Sequence, residues 1–307
     1  MRGLPLPFLA VLAAALSATI GGSAAVATRL AVPESNALAV TFLRFLGASI
    51  ALLAFTLPRQ KIRIDLRDMP AIVLLGLLQF ALFAWFFSAA LQYVPAARGA
   101  LVLSTQPLLT LALAVLLKRE RFTLAKAAGG VIALLGVAFA LGDRVVVPGA
   151  DTTRGDMLML GAAITGSIYN VTSGFYLRKY PALVMCSVMV PVGAAALFAA
   201  IVIGGDFSGF TGFSWRGWCA IAFLMTIGGA VTFFLWIWAL EHTTPSRVAI
   251  TVTMNPVAAV ILGALILSEP VTWRLLVGLA AIIAGITAAN WSALLAGLRR
   301  VPDKKPG

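Results

Sequence analysis

Charge is scarce in this chain of 307 residues, with only 11% Asp, Glu, Lys or Arg against about a quarter in ordinary soluble domains. With 61% hydrophobic residues and a mean hydropathy of +1.00, it reads as an integral membrane protein. Acidic residues are scarcer still, 11 against 23 Lys plus Arg, and none lies deep within an apolar run. That argues against a proton-driven pump for cationic drugs, which needs a buried carboxylate. Histidine occurs once, as His242, and cysteine twice, as Cys186 and Cys219. Such a set supplies no nucleophile with its base, metal cluster or intramembrane carboxylate pair, so no enzyme activity, metal or cofactor is expected. The two cysteines fall within predicted helices near opposite membrane faces and read as small apolar fillers rather than as a disulfide. The formal charge of +12 does not indicate a nucleic-acid partner, because Lys and Arg sit in short clusters between apolar runs, the pattern that sets membrane orientation.

A hydrocarbon core of about 30 Å takes about 20 helical residues. The apolar runs divide into ten stretches of that order: 5–27, 38–57, 70–92, 98–117, 124–142, 156–177, 182–203, 216–239, 246–267 and 272–295. Connections are short, the longest being 143–155. Thr123 and Thr272 are placed to cap the fifth and tenth helices. With the N-terminus inside, sixteen Lys and Arg fall on the inner side and six on the outer, Arg44 lying within a span. Both termini are therefore expected in the cytoplasm of a multi-pass protein of a bacterial-type inner membrane. The first 27 residues resemble a secretory leader, but they have a counterpart later in the chain and are expected to stay as a span.

That counterpart belongs to an internal repeat. A slide of 149 positions superposes Arg98 on Arg247, Pro107 on Pro256, Glu120 on Glu269, Thr123 on Thr272, Gly129 on Gly278 and Gly136 on Gly285. A slide of 148 places Ala14 and Ala15 on Ala162 and Ala163, and Pro33 on Pro181. Residues 1–145 and 146–307 thus read as two five-helix repeats. An odd number of spans in each forces the second to enter the membrane upside down relative to the first. The expected fold is all-α, ten transmembrane helices as two inverted repeats. Pro107 and Pro256, in mid-span at equivalent places, read as kinks or hinges, and interrupted helices at matching positions point to a central cavity.

The chain resembles the EamA-type carriers of the drug/metabolite transporter superfamily. The resemblance rests on Thr41-Phe42-Leu43-Arg44-Phe45-Leu46, on Pro107 followed by Lys118-Arg119-Glu120-Arg121-Phe122-Thr123, and on Gly129-Gly130 leading to Leu134-Leu135-Gly136-Val137. A weaker echo follows in Pro256, Ser268-Glu269-Pro270 and Gly285. It covers nearly the whole chain, and it implies a ten-helix carrier in which the fifth and tenth helices are peripheral. It also implies transport, often export of amino acids and related metabolites, without specifying a substrate.

A pathway should be lined by polar or aromatic side chains at helical spacing. The third span offers Gln79, Phe83, Phe86 and Phe87, and the eighth offers Gly228, Thr232 and Trp236. The sixth is the most polar, with Thr165, Ser167, Tyr169, Asn170, Thr172, Ser173 and Tyr176, where the first has Ser17, Thr19 and the gap Gly21-Gly22. Gln106 and Asn255 precede the two prolines, with Ser104, Thr105, Thr251 and Thr253 close by. The expected substrate wall is Gln79, Phe83, Phe87, Ser104, Gln106, Tyr169, Asn170, Ser173, Thr232, Trp236, Thr251 and Asn255. For each a structural reading stands beside the functional one: packing for the aromatics, and capping of freed carbonyls for the amides. Arg44 is expected to be structural or to hold a carboxylate, and Glu120 and Glu269 to pair with nearby Arg or to act in gating. Only Arg44 is available against phosphate charge, so neutral or zwitterionic metabolites fit best, amino acids above all and aromatic or large apolar ones among them. The partners expected are a small-molecule substrate and the bilayer, with oligomeric state open and a monomer sufficient. A drug or other metabolite efflux carrier and a lipid flippase remain as alternatives within transport, and a non-transporting membrane scaffold outside it.

Overall fold

The computed structural model describes residues 6–94, 102–120, 122–141 and 150–255, with isolated positions at 99, 257, 258, 261 and 262 and between 273 and 288. Among these residues every regular element is helical. In chain order they are α1 Leu6–Ala31, α2 Ala37–Thr56, α3 Met69–Gly76, α4 Ala84–Tyr93, α5 Gln106–Leu116, α6 Leu124–Leu141, α7 Ala150–Leu177, α8 Ala182–Gly204, α9 Trp215–Met225, α10 Thr232–His242 and α11 Pro245–Ile250. Among the described residues, five continuous helical stretches are long and apolar enough to cross a bilayer: Leu6–Glu34, Ala37–Thr56, Met69–Tyr93, Ala182–Gly204 and Trp215–His242. Large apolar side chains cover the outside of the bundle, with Ile50 60%, Leu74 65% and Ile203 86% exposed. Such a surface requires hydrocarbon rather than water around it.

The described bounds of the first, second, third, fifth, seventh and eighth spans follow the sequence reading to within a few residues, whereas α7 begins at Ala150 rather than at 156. The added turn carries Asp151 in its first turn, which favours the helix N-terminus without being apolar. Asn36 caps α2, its Oδ1 accepting from the Ala39 N–H at 2.8 Å, and Ser214 caps α9 by accepting from the Gly217 N–H at 3.2 Å.

Three departures from regular α-helix matter for function. The third span contains a π-helical segment, Leu77–Phe83, between α3 and α4, and the eighth contains another, Thr226–Val231, between α9 and α10. The slide of 149 carries Leu77 onto Thr226 and Leu82 onto Val231, so the two segments occupy the same place in the repeat. The third departure is at Pro107: Ser104 and Thr105 form a turn that interrupts the fourth span, and Pro107 stands in the first turn of α5. There its missing N–H costs nothing, because the first N–H groups of a helix lack intrahelical partners. In the ninth span a 3-10 turn, Thr251–Thr253, follows α11. Pro256 and Glu269 lie outside the described residues, as do Thr272 and most of the tenth predicted span.

The most extensive packing joins residues before 142 to residues after 150. α2 lies against α8, α1 against α9 and α10, α4 and the first π segment against α7, and α5 against α11. Close approach needs residues without side chains. A Cβ on Gly193 of α8 would run into the Phe80 backbone, and one on Gly22 of α1 into the Asn255 carbonyl.

Two polar clamps hold the connections, one at each end of the bundle. At one end Glu34 accepts from the Ser214 N–H at 2.7 Å and from its hydroxyl at 2.8 Å. At the other the Tyr180 hydroxyl accepts from the Asp65 N–H at 3.1 Å and donates to Asp68 at 2.6 Å, while Lys179 pairs with Asp68 at 2.5 Å. The hydrogen bonds from Lys179 and Tyr180 hold the Asp68 carboxyl below its usual range. Glu120 interacts electrostatically with the Arg247 guanidinium. It pairs with Lys126 and accepts from the Ser246 N–H at 3.1 Å, tying the end of α5 to the first turn of α11.

Candidate functional site

Beside the first π segment and the interrupted fourth and ninth spans, the bundle holds a cavity. Its wall combines Ser17, Ala18 and Gly21 from α1 and Arg44 from α2 with Gln79, Phe83 and Phe87. Leu103 and Gln106 come from the fourth span, Thr232, Phe233 and Trp236 from α10, and Val252 and Asn255 from the ninth. The space open to the centre of a water molecule is about 80 Å³, well above what a single water needs. That is the scale of a small metabolite.

The wall repeats itself. Phe83 and Thr232, Phe87 and Trp236, Leu103 and Val252, and Gln106 and Asn255 are each 149 positions apart, and all eight line the cavity. Symmetry fails at Gln79, whose counterpart is Gly228. The Arg44 guanidinium donates through Nη2 to the Gly228 carbonyl, inside the second π segment, where the wider helical turn disturbs the regular bonding of carbonyls. It also lies over the rings of Phe45 and Phe233, at 5.6 and 5.2 Å from their centroids. These contacts hold a cation that is only 8% exposed and fix one positive pole at the cavity wall.

Three polar atoms on this wall have no hydrogen-bond partner among the described residues: Gln79 Oε1, Asn255 Oδ1 and Arg44 Nε. Gln79 is 5% exposed, and an unmet buried acceptor costs about 1–3 kcal/mol. Two acceptors and a donor on residues that line one cavity, beside aromatic rings, are the groups that a ligand with both an ammonium and a carboxylate would satisfy.

Of the residues expected from sequence, Gln79, Phe83, Phe87, Gln106, Thr232, Trp236 and Asn255 are on the wall, whereas Ser104, Tyr169, Asn170, Ser173 and Thr251 are not. The polarity of the sixth span is largely absorbed within α7. Thr165, Ser167 and Thr172 donate to carbonyls one turn back, at 2.9, 2.7 and 2.6 Å, and Thr251 donates to the Val248 carbonyl at 2.7 Å. Tyr169 is fully buried edge-on to Phe80, ring centroids 6.4 Å apart. Ser104 and Ser173 are fully buried too. Asn170 stands behind the wall, its Oδ1 accepting from the Trp236 indole N–H at 3.0 Å. It thereby sets the rotation of a ring that faces the cavity.

Asn170→Leu should therefore act through Trp236. Losing the acceptor strands a buried indole N–H, at about 1–3 kcal/mol, and frees the ring. The expected result is weaker substrate affinity with unchanged membrane abundance, and Trp236→Phe should add little to it. Additive effects in the double variant would show that the two residues act separately.

Ser17, Gly21, Leu103, Phe233 and Val252 also line the cavity. Ser17 donates to the Thr232 carbonyl at 2.7 Å and joins α1 to α10. The pairing of Leu103 with Val252 in the repeat was the one signal able to mark those two aliphatic residues.

The comparisons agree with a transporter. The family model described as EamA-like transporter family matches twice, over residues 8–142 and 153–291. An uncharacterized transporter of Archaeoglobus fulgidus is 26% identical over 89% of this chain and 95% of its own. The uncharacterized transporter YdfC of Bacillus subtilis is 28% identical over 79% of this chain and 78% of its own. A protein of Streptantibioticus cattleyicolor named "Probable terminal-alkyne amino-acid exporter" is 26% identical over 95% of this chain and 96% of its own. A crystal structure 21% identical in sequence superposes with a TM-score of 0.77, covering 94% of this chain and 98% of the other, which shows a shared fold. Matched in both halves by the same family model, the chain belongs to the EamA-like transporter family and is a multi-pass membrane transporter rather than an enzyme.

Proposed function

We propose that the chain is a secondary transporter that exports small neutral or zwitterionic metabolites, amino acids foremost, by alternating access through the central cavity. The observation that carries this reading is the set of unpaired polar atoms on an aromatic wall, Gln79 Oε1, Asn255 Oδ1 and Arg44 Nε. The substrate ammonium donates to the two amide oxygens, its carboxylate faces the guanidinium, and its side chain lies against Phe83, Phe87 and Trp236. The name of the relative from Streptantibioticus cattleyicolor, an amino-acid exporter, supports the substrate class. The other parts of the proposal are two five-helix repeats of opposite orientation, 1–145 and 146–307, and both termini in the cytoplasm. The double family match, the paired π segments and the fourfold pairing in the wall support the repeat. The distribution of Lys and Arg supports the orientation.

Counterflow in proteoliposomes with a panel of labelled amino acids, with and without a proton ionophore, tests this. Saturable exchange within one chemical group of amino acids is expected. Protein shown to be folded that exchanges none of them would overturn the substrate class, and sensitivity to the ionophore would reveal proton coupling.

A further inference from the structure

A second recess lies on the other side of the third span. Gln79, Phe83 and Phe87, four residues apart, face the cavity, whereas Trp85, Ala89 and Tyr93 have the same spacing two positions out of phase. At about 100° per residue, two positions turn the face by about 200°. This cleft therefore opens on the flank of the bundle and shares no lining residue with the cavity. Its space, about 310 Å³ by the same measure, exceeds that of the cavity.

Polar side chains ring the cleft where helices begin and end. Asn36 caps α2, Gln92 is in the last turn of α4, Arg154 is near the start of α7, and Asp206 lies two residues past the end of α8. Deeper along these helices the lining is apolar, with Leu38, Trp85, Ala89 and Leu158. Leu158 stands four residues below Arg154 on the same helix face. Trp85 is 38% exposed and Leu82 beside it 42%, so the floor continues onto the surface that meets hydrocarbon.

The two charged groups are held apart rather than paired with each other. The Arg154 guanidinium lies over the Tyr93 ring, 4.7 Å from its centroid. Asp206 Oδ1 accepts from the Ser208 N–H at 3.1 Å and from its hydroxyl at 2.5 Å, while among the described residues Oδ2 accepts only a long 3.3 Å bond from Asn36. The Ser208 bonds hold this carboxyl below the usual range, so it stays ionised. A cation and an anion above an apolar floor match, group for group, a lipid headgroup with its chains below.

We propose that the cleft binds a phospholipid bearing a primary ammonium, phosphatidylethanolamine being the simplest. The phosphate meets Arg154, the ammonium donates to Asp206 Oδ2, and the acyl chains run down past Leu158 and Trp85. Phosphatidylcholine has no N–H to donate, and phosphatidylglycerol has no cation to set against Asp206. A free zwitterion would leave the apolar floor unused.

Native mass spectrometry of the delipidated full chain, re-equilibrated with equimolar amounts of the three lipids, tests this. At least fivefold preference for phosphatidylethanolamine over each of the others is expected. Arg154→Gln should weaken its retention at least tenfold, and Asp206→Asn should keep a bound phospholipid but lose the preference over phosphatidylglycerol. Equal retention of all three lipids, or undiminished retention by Arg154→Gln, would overturn the proposal. So would displacement of the lipid by a free amino acid, which would assign the cleft to a soluble zwitterion. Arg154 is exposed, so its variant decides the matter even where Asp206→Asn fails to fold.

Discussion

Gly193→Leu yields no folded protein, and Gly193→Ala yields one destabilised by about 1–3 kcal/mol. The new Cβ would press on Phe80, whose carbonyl carbon and Cα would lie 2.7 and 2.9 Å away. Backbone in the middle of a packed span cannot swing aside as a side-chain tip can, so α8 or the first π segment must shift. Gly174→Ala is the control within the same bundle. Nothing lies within 4 Å of the Cβ it would add, and alanine is favoured over glycine in a helix interior by up to about 1 kcal/mol. Thermal melting in detergent should separate the two alanine variants in opposite directions from the parent. Equal melting of all three would mean that α8 and Phe80 are not held in contact.

Gln79→Leu removes an acceptor that the protein leaves unpaired. Leucine suits an apolar wall better than an unmet amide does, so abundance and melting temperature should hold or rise. Transport of an amino acid should fall at least tenfold, equivalent to about 1.4 kcal/mol, because the substrate ammonium loses one of its two amide oxygens. Asn255→Leu should act in the same way at the other oxygen, although it also crowds Gly21, for which a Cβ would stand 3.2 Å from Asn255 Oδ1. Uptake and export by reconstituted protein, normalised to folded protein, decide the matter. Transport unchanged in Gln79→Leu would remove this residue from the substrate wall, and lost abundance would make it a folding residue.

Much of the architecture was legible because membrane helices announce themselves by length and hydropathy, and because the repeat supplies its own alignment. Gln79, Phe83 and Phe87 could be placed on one face from their spacing alone, and Trp236 and Thr232 followed from the slide. The π segments could not be seen. Inserting one residue into a helical turn changes the bonding pattern without changing composition, so nothing in Leu77–Phe83 marks it as π-helical. Pro107 was legible as an interruption but not as a helix start, since the same residue serves both and only the turn at Ser104 and Thr105 decides. The hydroxyls of α7 misled for a related reason: Ser and Thr in a membrane helix can bond their own backbone, so a polar stretch need not face water. Asn170 was picked out as a wall residue, yet its bond to Trp236 crosses 66 positions, and nothing local in the sequence announces that pairing.

Because the most extensive interfaces join the two halves of the chain, the half synthesised first lacks most of its packing partners. Ser17 must wait for a partner 215 residues later, a delay of about 10–40 s at ordinary translation rates. During that interval α1 and α2 rest in the bilayer with their glycine faces unmet, and the hazard is capture by the same face of another nascent chain. Biogenesis of such a protein is thus a problem of keeping early helices apart, and crowded synthesis on one message should harm it more than a slow ribosome does.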